Sequence, residues 1–525
     1  MNKSLIVVTT TLSLLYSIHQ PCIGQVATSQ ELPDYKDIIY LKNIYADGSN
    51  PCSFSFTPIR DYLNISLSSD FDRGSYHAVD GSDKTNNLGF DISGMTTVNQ
   101  ISCYGSLSYL NQKAYERRWN STLFIAEENP FILGDSIQSD FNTEKFHLQG
   151  GVSFQPVARL FAALDLQYMV GSSANQTDPR PKTDGMHFII KPGILYQCSE
   201  SFSLGVSGSF DLMNESLTHT LINSQYAYTY FRFNGMGCYN GVGTGTLQTY
   251  PRSYKGNKYT GALQAVYAGG SAMTNFAEIG YSSQWEDARD GGRTFTFLGG
   301  DFRKKEYHLT DRFRISAGQV NHNITLDARF CQTEGDWYEQ TEFLDPEKDN
   351  QLSYKVQDVN LIHKEQSQVV GVTYQFDKLT RELPSTTLLF EAKYKNSDLK
   401  HFEGDGYFQK YSNLSFQLNG TQRLRVGDKH FFSFSAGVRY RLPLSDSMEA
   451  KAKLYEDYTA VQFEYLTSAC YGGTLNCTYQ YRINNWWMGV YARANSIWYG
   501  GDNKYSDAFH KQSAQYYQAG LTLTF

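Results

Sequence analysis

The chain ends with the residues Tyr517, Gln518, Ala519, Gly520, Leu521, Thr522, Leu523, Thr524 and Phe525, and this stretch decides the fold. Its side chains alternate between two faces. One face carries Tyr517, Ala519, Leu521, Leu523 and Phe525, whereas the other carries only Gln, Gly and Thr residues. A period of two residues is typical of a β-strand that has one face in an apolar medium and the other in a polar one.

The same alternation recurs along the chain, for example over residues 160–170, 202–212 and 432–442. In each stretch the even-numbered positions are mainly apolar, and polar residues such as Asp165 and Arg439 occupy odd-numbered positions. An Arg or Lys on a lipid-facing side would cost about 2–4 kcal/mol at mid-depth. The even positions are therefore predicted to face lipid and the odd positions a lumen.

Composition narrows the class of protein. Aromatic residues make up 15% of the 525 residues, mean hydropathy is -0.46, and the formal net charge is -7. Aromatic girdles at the two membrane surfaces explain the first value, and polar inner faces with long loops explain the second. Because the net charge is negative, the protein has no overall positive potential that would attract nucleic acid. Composition alone is equally compatible with a secreted, Tyr-rich β-sandwich.

The amino-terminal residues resemble an export signal. Lys3 precedes an apolar stretch, and the small residues Cys22 and Gly24 follow it, so residues 1–24 are predicted to be a signal peptide. Residues 25–58 then form a periplasmic or hatch segment, and residues 59–525 the barrel. Asn50 and Pro51 suggest a segment that folds back into the lumen, although an ordinary loop is the plainer interpretation. The segment is too short to be the plug domain of a TonB-dependent receptor.

Counting strands backwards from the carboxyl terminus predicts an all-β, transmembrane, antiparallel up-and-down β-barrel of about 18 strands, within a range of 14 to 18. Short periplasmic turns should alternate with long extracellular loops, as in bacterial barrels. The predicted turns include residues 482–485, 425–429, 377–385, 318–321, 269–274, 198–201, 156–158 and 98–100. The predicted loops are 499–513, 443–457, 398–407, 332–357, 287–305, 213–257, 171–185 and 117–143.

The chain resembles a family of Gram-negative outer-membrane β-barrels classed as a domain of unknown function. Two loop motifs and the terminal strand, which is similar to the carboxyl-terminal assembly signal of such barrels, carry the resemblance. It implies the barrel fold and an outer-membrane location, and it brings no catalytic or binding residues. The residues concerned are Asn129, Pro130, Gly134 and Asp135 in the first motif, Asp178, Pro179, Arg180 and Pro181 in the second, and Tyr517, Ala519, Leu521, Leu523 and Phe525 in the strand.

Other polar clusters have plain interpretations. The glycines at 235, 237, 241, 243 and 245 lack the strand-to-helix context of a phosphate loop and are interpreted as a mobile external loop. The acidic stretches around Asp290 and 332–357 are interpreted as solvated loops, although clustered carboxylates also suit Ca²⁺. The histidines at 308, 322, 363 and 401 are not spaced from other polar residues as in a recognisable catalytic site. The cysteines left after cleavage are odd in number and scattered, which argues against a disulfide scaffold.

The predicted function is passage or binding of a solute at the outer membrane, without a cofactor or metal. A surface-display or assembly barrel, whose loops bind glycan, host protein or a partner lipoprotein, is the alternative, and a hydrolase at the barrel rim comes third. The expected partners are outer-membrane lipids, the barrel assembly machinery and a small solute or glycan, with no nucleic acid.

Overall fold

The computed structural model describes residues 35–223, 225, 227–243, 249–270, 272–291, 296–348, 350–380, 383–402, 406–450 and 452–525. The predicted signal peptide lies outside this part of the chain. The described α-helices are α1 (Tyr35–Lys42) and α2 (Ala460–Thr467). The strands are β1 (Tyr62–Arg73), β2 (Lys84–Val98), β3 (Ile101–Arg117), β4 (Leu133–Gly134), β5 (Ser139–Val157), β6 (Leu160–Ala174), β7 (Pro181–Gln197), β8 (Phe202–Thr220), β9 (Thr229–Gly235), β10 (Cys238–Gly243), β11 (Thr249–Ala268), β12 (Met273–Gly291), β13 (Thr296–Ala317), β14 (Val320–Asp345), β15 (Gln351–Thr380), β16 (Leu383–His401), β17 (Tyr407–Val426), β18 (His430–Glu449), β19 (Cys470–Ile483), β20 (Trp486–Tyr499) and β21 (Ser513–Thr524).

Within the described residues, eighteen of these strands form one antiparallel sheet that closes on itself. Each strand pairs with its neighbours in sequence, and β1 pairs with β21 to close the barrel. The predicted fold class and the strand count are therefore confirmed. The three remaining strands, β4, β9 and β10, form a small separate sheet. None of the described helices has the length and apolar character needed to cross a membrane.

The terminal strand β21 completes the wall. Its residues pair with β20 on one side and with β1 on the other, from Asn64 opposite Thr524 to Arg73 opposite Gln515. The Phe525 amide donates to Leu63 O at 2.8 Å, and the Phe525 ring stacks on Trp486 with centroids 5.9 Å apart. Tyr517, Ala519, Leu521 and Phe525 are exposed on the outer face, with Leu523 half-buried between them. We call the end of the barrel that carries Phe525 its periplasmic end.

The two faces of the wall have the predicted characters. On β6, Leu166 and Tyr168 are exposed on the outside, whereas Ala163 and Asp165 are buried on the inside. On β18, Phe434 and Val438 are exposed, and the inward-facing Arg439 donates to Asn495 Oδ1 at 2.6 Å. The apolar outer face has to be covered by lipid, because an exposed apolar surface of this extent is costly in water.

Turns at the periplasmic end occur at the predicted places, but several predicted external loops are strands. Residues 332–345 and 351–357 belong to β14 and β15, joined by the short connection 346–350, and residues 287–291 and 296–305 belong to β12 and β13. Strands at the extracellular end meet water or other loops rather than lipid, so their sequences carry no apolar alternation. The glycines of the predicted mobile loop lie partly in a hairpin of β9 and β10, and Gly245 lies outside the described residues.

One hairpin extends beyond its neighbours in the wall. The pairing of β13 with β14 ends at Asp301 opposite Asp336, and the pairing of β15 with β16 ends at His363 opposite His401. Residues 337–361 therefore pair mainly with each other. We call this two-stranded hairpin the ribbon.

Candidate functional site in the barrel lumen

The lumen is occupied near its periplasmic end by residues 39–57, which we call the N-terminal segment. Side chains on the inner faces of β5, β8, β12 and β13 contact it. Ser55 and Ser153 hydroxyls lie 2.6 Å apart, and those of Tyr45 and Ser203 lie 3.1 Å apart. These wall residues lie within a few positions of the periplasmic turns, so the segment fills the periplasmic part of the lumen.

Three charged groups of the wall anchor this segment. Glu278 Oε2 accepts hydrogen bonds from the Ser49 amide at 2.8 Å and from the Ser49 hydroxyl at 3.0 Å. Arg312 forms an ion pair with Asp47, and Arg314 donates to the Tyr40 carbonyl at 3.0 Å. Both arginines are buried, so the segment supplies partners that these cations would otherwise lack.

Asn50 fits the segment to the backbone of the wall. Its Nδ2 atom donates to Ile194 O at 3.0 Å and to Val206 O at 3.3 Å. A Cβ atom at Gly193 would overlap the Asn50 side chain, so this close approach requires glycine. Cys52 is fully buried beside it, and burial raises the pKa of the thiol to about 12. A neutral, enclosed thiol reacts slowly with alkylating reagents.

The extracellular part of the lumen is occupied by residues 118–138, 229–243 and 452–468, which we call the cap. Its parts contact one another: β4 pairs with β9, the Trp119 ring packs against Phe233 and Tyr458, and Thr459 Oγ1 donates to Met236 O at 2.7 Å. Burial raises the pKa of Tyr458, consistent with its place inside the cap.

The first family-like motif holds the cap to the wall. Asn129 Nδ2 donates to Glu286 Oε2 at 2.7 Å, and the amide of Ala126 donates to Glu286 Oε1 at 2.9 Å. The Phe131 ring is completely buried, and its carbonyl accepts hydrogen bonds from Arg252 and Tyr254, each at 3.1 Å. Pro130 lines the cavity described below.

Arg252 is held in turn by Asp290, with which it forms a fully buried ion pair; its Nη2 lies 2.8 Å from Asp290 Oδ2. Tyr250 donates to the same carboxylate at 2.7 Å. The interpretation of the stretch around Asp290 as a solvated loop is therefore wrong. Its carboxylate is compensated by the Arg252 guanidinium, which lies far from it in sequence.

Asp135 of the first motif and Pro181 of the second lie beside His219. A Cβ atom at Gly134 would overlap the carbonyl oxygen of Trp119, which explains glycine at that position. Asp135 Oδ2 lies 3.5 Å from His219 Nε2, and Pro181 is the cross-strand partner of His219. The structure thus brings the first motif and the end of the second together beneath the cap.

Asp178, Pro179 and Arg180 lie in the loop between β6 and β7. The Asp178 carboxylate accepts hydrogen bonds from Arg180 at 2.7 Å and from the Asn223 amide at 2.7 Å. Burial opposes ionisation of this carboxyl, but these donors outweigh it and hold the Asp178 pKa below its usual range. This part of the motif joins two extracellular loops and does not line the lumen cavity.

A cavity of about 330 Å³ lies between the cap and the inner faces of β15, β16 and β17. The wall contributes His363, Glu365, Lys395 and Tyr411, and the cap contributes apolar side chains such as Phe233 together with Glu127 and Glu128. Cavities of this size suit small ligands. In the described part of the chain, no group of three or more His, Cys, Asp or Glu side chains could hold a metal ion.

The sequence did not reveal that His363 and His401 are neighbours. They lie opposite each other on β15 and β16, and both are buried. Their 38-residue separation has no meaning until the strand register is known, so spacing alone could not pair them. The alternation of apolar even-numbered positions with charged odd-numbered ones over residues 390–395 was a usable signal, because the same register places Ser397 and His401 on the lumen face.

Comparison with known proteins places the chain in a family. Structures that match it include the ferric preacinetobactin receptor BauA of Acinetobacter baumannii, at 6% identity and a TM-score of 0.37 over 89% of this chain and 80% of that one. The Pseudomonas putida toluene transporter TodX matches at 8% identity and a TM-score of 0.31 over 92% and 93% of the two chains. The RagAB peptide importer matches at 7% and 0.40 over 88% and 86%.

Curated protein sequences give no significant match. The closed barrel and its apolar outer face identify an outer-membrane protein on physical grounds, because closure leaves no unpaired strand edge in the membrane. One family profile, described as a family of unknown function, covers residues 51–525. The chain belongs to this family, DUF6850.

Proposed function

We propose that this barrel passes a small solute across the outer membrane through its lumen, and that the N-terminal segment gates the periplasmic end. The observation that carries the proposal is the anchoring of that segment by polar contacts to Glu278, Arg312 and the backbone beside Gly193. The hydrogen bonds of Ser49 and Asn50 exchange with water at a small net cost, and water that enters the lumen would solvate Arg312 and Asp47 once their ion pair opens. The segment can therefore leave the lumen without unfolding the wall.

The lumen behind the segment is suited to a polar solute. The inner face carries charged and amide side chains along its length, such as Asp165, Lys393 and Gln417, whereas the outer face is apolar. A barrel of this strand number is wide enough for an aqueous path once its contents move. The cap then acts as the extracellular barrier above the cavity.

Planar-bilayer recording tests the gate. We compare the unmodified protein with the double variant Asp47→Asn, Asn50→Ala, which weakens the anchors without altering the wall. The variant should show longer openings, and maleimide should label Cys52 in the variant but not in the unmodified protein. Asp457→Asn, at an exposed position, is the matched control and should behave as the unmodified protein.

Labelling and conductance together separate the outcomes. If Cys52 becomes reactive in a folded double variant and the bilayer current stays at baseline, then release of the segment does not open a path, and passage through the lumen is wrong. Binding of a solute within the cavity would remain to be tested directly.

A second function is favoured by the ribbon. Phe343, Leu344 and Val359 are exposed on it, and much of it is not paired to the wall. Exposed strand edges and apolar side chains are typical of surfaces that bind another molecule. We infer that the barrel could instead display the ribbon to a glycan, a host protein or a partner lipoprotein.

The ribbon can be shortened without damage to the wall. Residues 332–336 pair with β13, so deletion should be restricted to 341–355, with Gln340 joined to Val356 by an Asn-Gly turn. Binding of the purified protein to a glycan array and to outer-membrane lipoproteins should be lost in this variant while heat-modifiable migration is retained. Unchanged binding would contradict a display role for the ribbon.

A further inference from the structure

We propose that the cavity beneath the cap binds a small zwitterion that has an apolar body, such as a free amino acid or a short peptide. The inference rests on the proposed function, since it specifies the class of solute that the lumen admits. Four features of the described residues carry it: a cation and a carboxylate that line the cavity without a direct ion pair, a buried imidazole with one unpartnered nitrogen, and apolar side chains of the cap.

The cation is Lys395 on β16. It forms no direct ion pair with any described residue. Its ammonium group interacts with the Tyr411 side chain, whose ring centre lies 5.5 Å from Nζ, and it is attracted by Glu365 and Glu127. Glu365, the wall carboxylate that also lines the cavity, accepts a hydrogen bond from Ser397 at 2.7 Å instead. Since no carboxylate of the described residues is in direct contact with the Lys395 ammonium group, an anionic group of a ligand in the cavity would form the direct ion pair that it lacks.

The carboxylate is Glu127, in the cap segment that lies over the cavity. Its neighbour Glu128 is compensated by Lys304 at 2.7 Å, and Asp80 accepts a hydrogen bond from Asn120 at 3.0 Å. Among the described residues, none donates a hydrogen bond to Glu127, which is exposed and is attracted by Lys395 without a direct ion pair. An ammonium group of a ligand would supply the missing partner.

The imidazole is that of His363 on β15. This residue lines the same cavity, and only 3% of its surface is accessible. Its Nε2 lies 3.5 Å from Thr333 Oγ1, and its Nδ1 has no hydrogen-bond partner among the described residues. Gly235 of the cap, at φ +121°, approaches this atom without a side chain. A buried polar atom without a partner is costly. Because this nitrogen has no exposed surface, a donor group of a ligand would reach it only after Gly235 moves.

The rest of the lining mixes polar side chains, such as Asn129 and Gln462, with apolar ones. Ile132, Phe233, Met236 and Leu466 face the cavity from three parts of the cap. A ligand with charge alone would leave these side chains in contact with water, whereas an apolar body would cover them. The cavity thus combines the Lys395 ammonium group, the Glu127 carboxylate and several apolar side chains, which a zwitterionic amino acid with an apolar body complements. The other lining carboxylates, Asp80, Glu128 and Glu365, have side-chain partners of their own.

Three probes that share one apolar body test the charge pattern. Calorimetric titration of the full-length protein in detergent compares phenylalanine, phenethylamine, which lacks the carboxylate, and 3-phenylpropionate, which lacks the ammonium group. Phenylalanine should bind at least about tenfold more tightly than either of the others. In Lys395→Gln its advantage over phenethylamine should disappear, and in Glu127→Gln its advantage over 3-phenylpropionate should disappear.

The control variant is Glu456→Gln, which removes an exposed carboxylate of the cap that does not line the cavity, and it should leave all three affinities unchanged. Tighter binding of phenethylamine than of phenylalanine would overturn the inference in favour of a cation site. Absence of binding by all three probes would also overturn it. Bilayer conductance of the gate variant is measured independently of ligand binding. Failure of the three probes to bind would therefore contradict the zwitterion site, whereas a baseline current would contradict passage through the lumen.

Discussion

Arg252 and Asp290 are the residues whose single replacement should affect stability most. Both are fully buried, and Tyr250 and Phe131 complete their hydrogen bonds. Asp290→Asn removes the counter-charge of a buried guanidinium and should lower the free energy of unfolding by about 3–5 kcal/mol. Urea titration followed by tryptophan fluorescence measures this change.

The exposed pair Lys182 and Asp184 provides the control for that measurement. These side chains lie 2.9 Å apart, and more than half of each is exposed. Asp184→Asn should therefore cost less than about 1 kcal/mol. Equal costs for the two replacements would mean that the buried pair does not hold the cap to the wall.

Asp178 should make one loop contact depend on pH. Its folded-state pKa is depressed, so the stabilisation that it provides is present above the unfolded pKa and is lost as the pH falls through the folded pKa. Exchange protection of the Ile222 and Asn223 amides, corrected for intrinsic rate, should be full above about pH 5 and fall below it. In Asp178→Asn the protection should be weak at every pH, and a wild-type profile in this variant would contradict the assignment.

Among the strands and helices, β21 is the one whose alteration should most clearly reduce insertion into the membrane. Deletion of Phe525, or polar replacement of Tyr517 and Phe525, removes outward apolar side chains and the last backbone pair with Leu63. We expect reduced insertion, measured as the fraction of protein recovered in outer membranes, because the assembly machinery is proposed to recognise this face. Thr522→Ser, on the inner face, should insert normally. Normal assembly of the Phe525 deletion would contradict the proposed role of the strand.

Elements of the wall could be predicted from the sequence, and elements of the lumen could not. Strands such as β6 and β18 alternate because one face meets lipid, and that alternation also fixes their register. The cap has no such signal, since β4 pairs with β9 about 100 residues later and Phe131 is buried by side chains from several strands. The pairing of Arg252 with Asp290 likewise depends on the register of β11 with β12.

The whole molecule should behave as a closed barrel in detergent. Protein extracted from the outer membrane should migrate compactly on a gel without boiling and more slowly after boiling, because the closed sheet resists detergent at room temperature. Asp290→Asn should lower the temperature at which the slow form appears, whereas the shortened ribbon should leave it unchanged. A soluble protein without a shift would contradict the barrel.

The seam between β1 and β21 also constrains the order of assembly. It joins residues about 460 positions apart, as in the hydrogen bond between Thr524 and Asn64. Contacts of such high sequence separation form late, because the loop-closure entropy has to be overcome first. The wall therefore cannot close until β21 has left the secretion machinery. Until then, the N-terminal segment and β1 are already exported but β1 has no partner strand in β21. A binding partner that shields β1 during this interval would prevent its open edge from pairing with another chain.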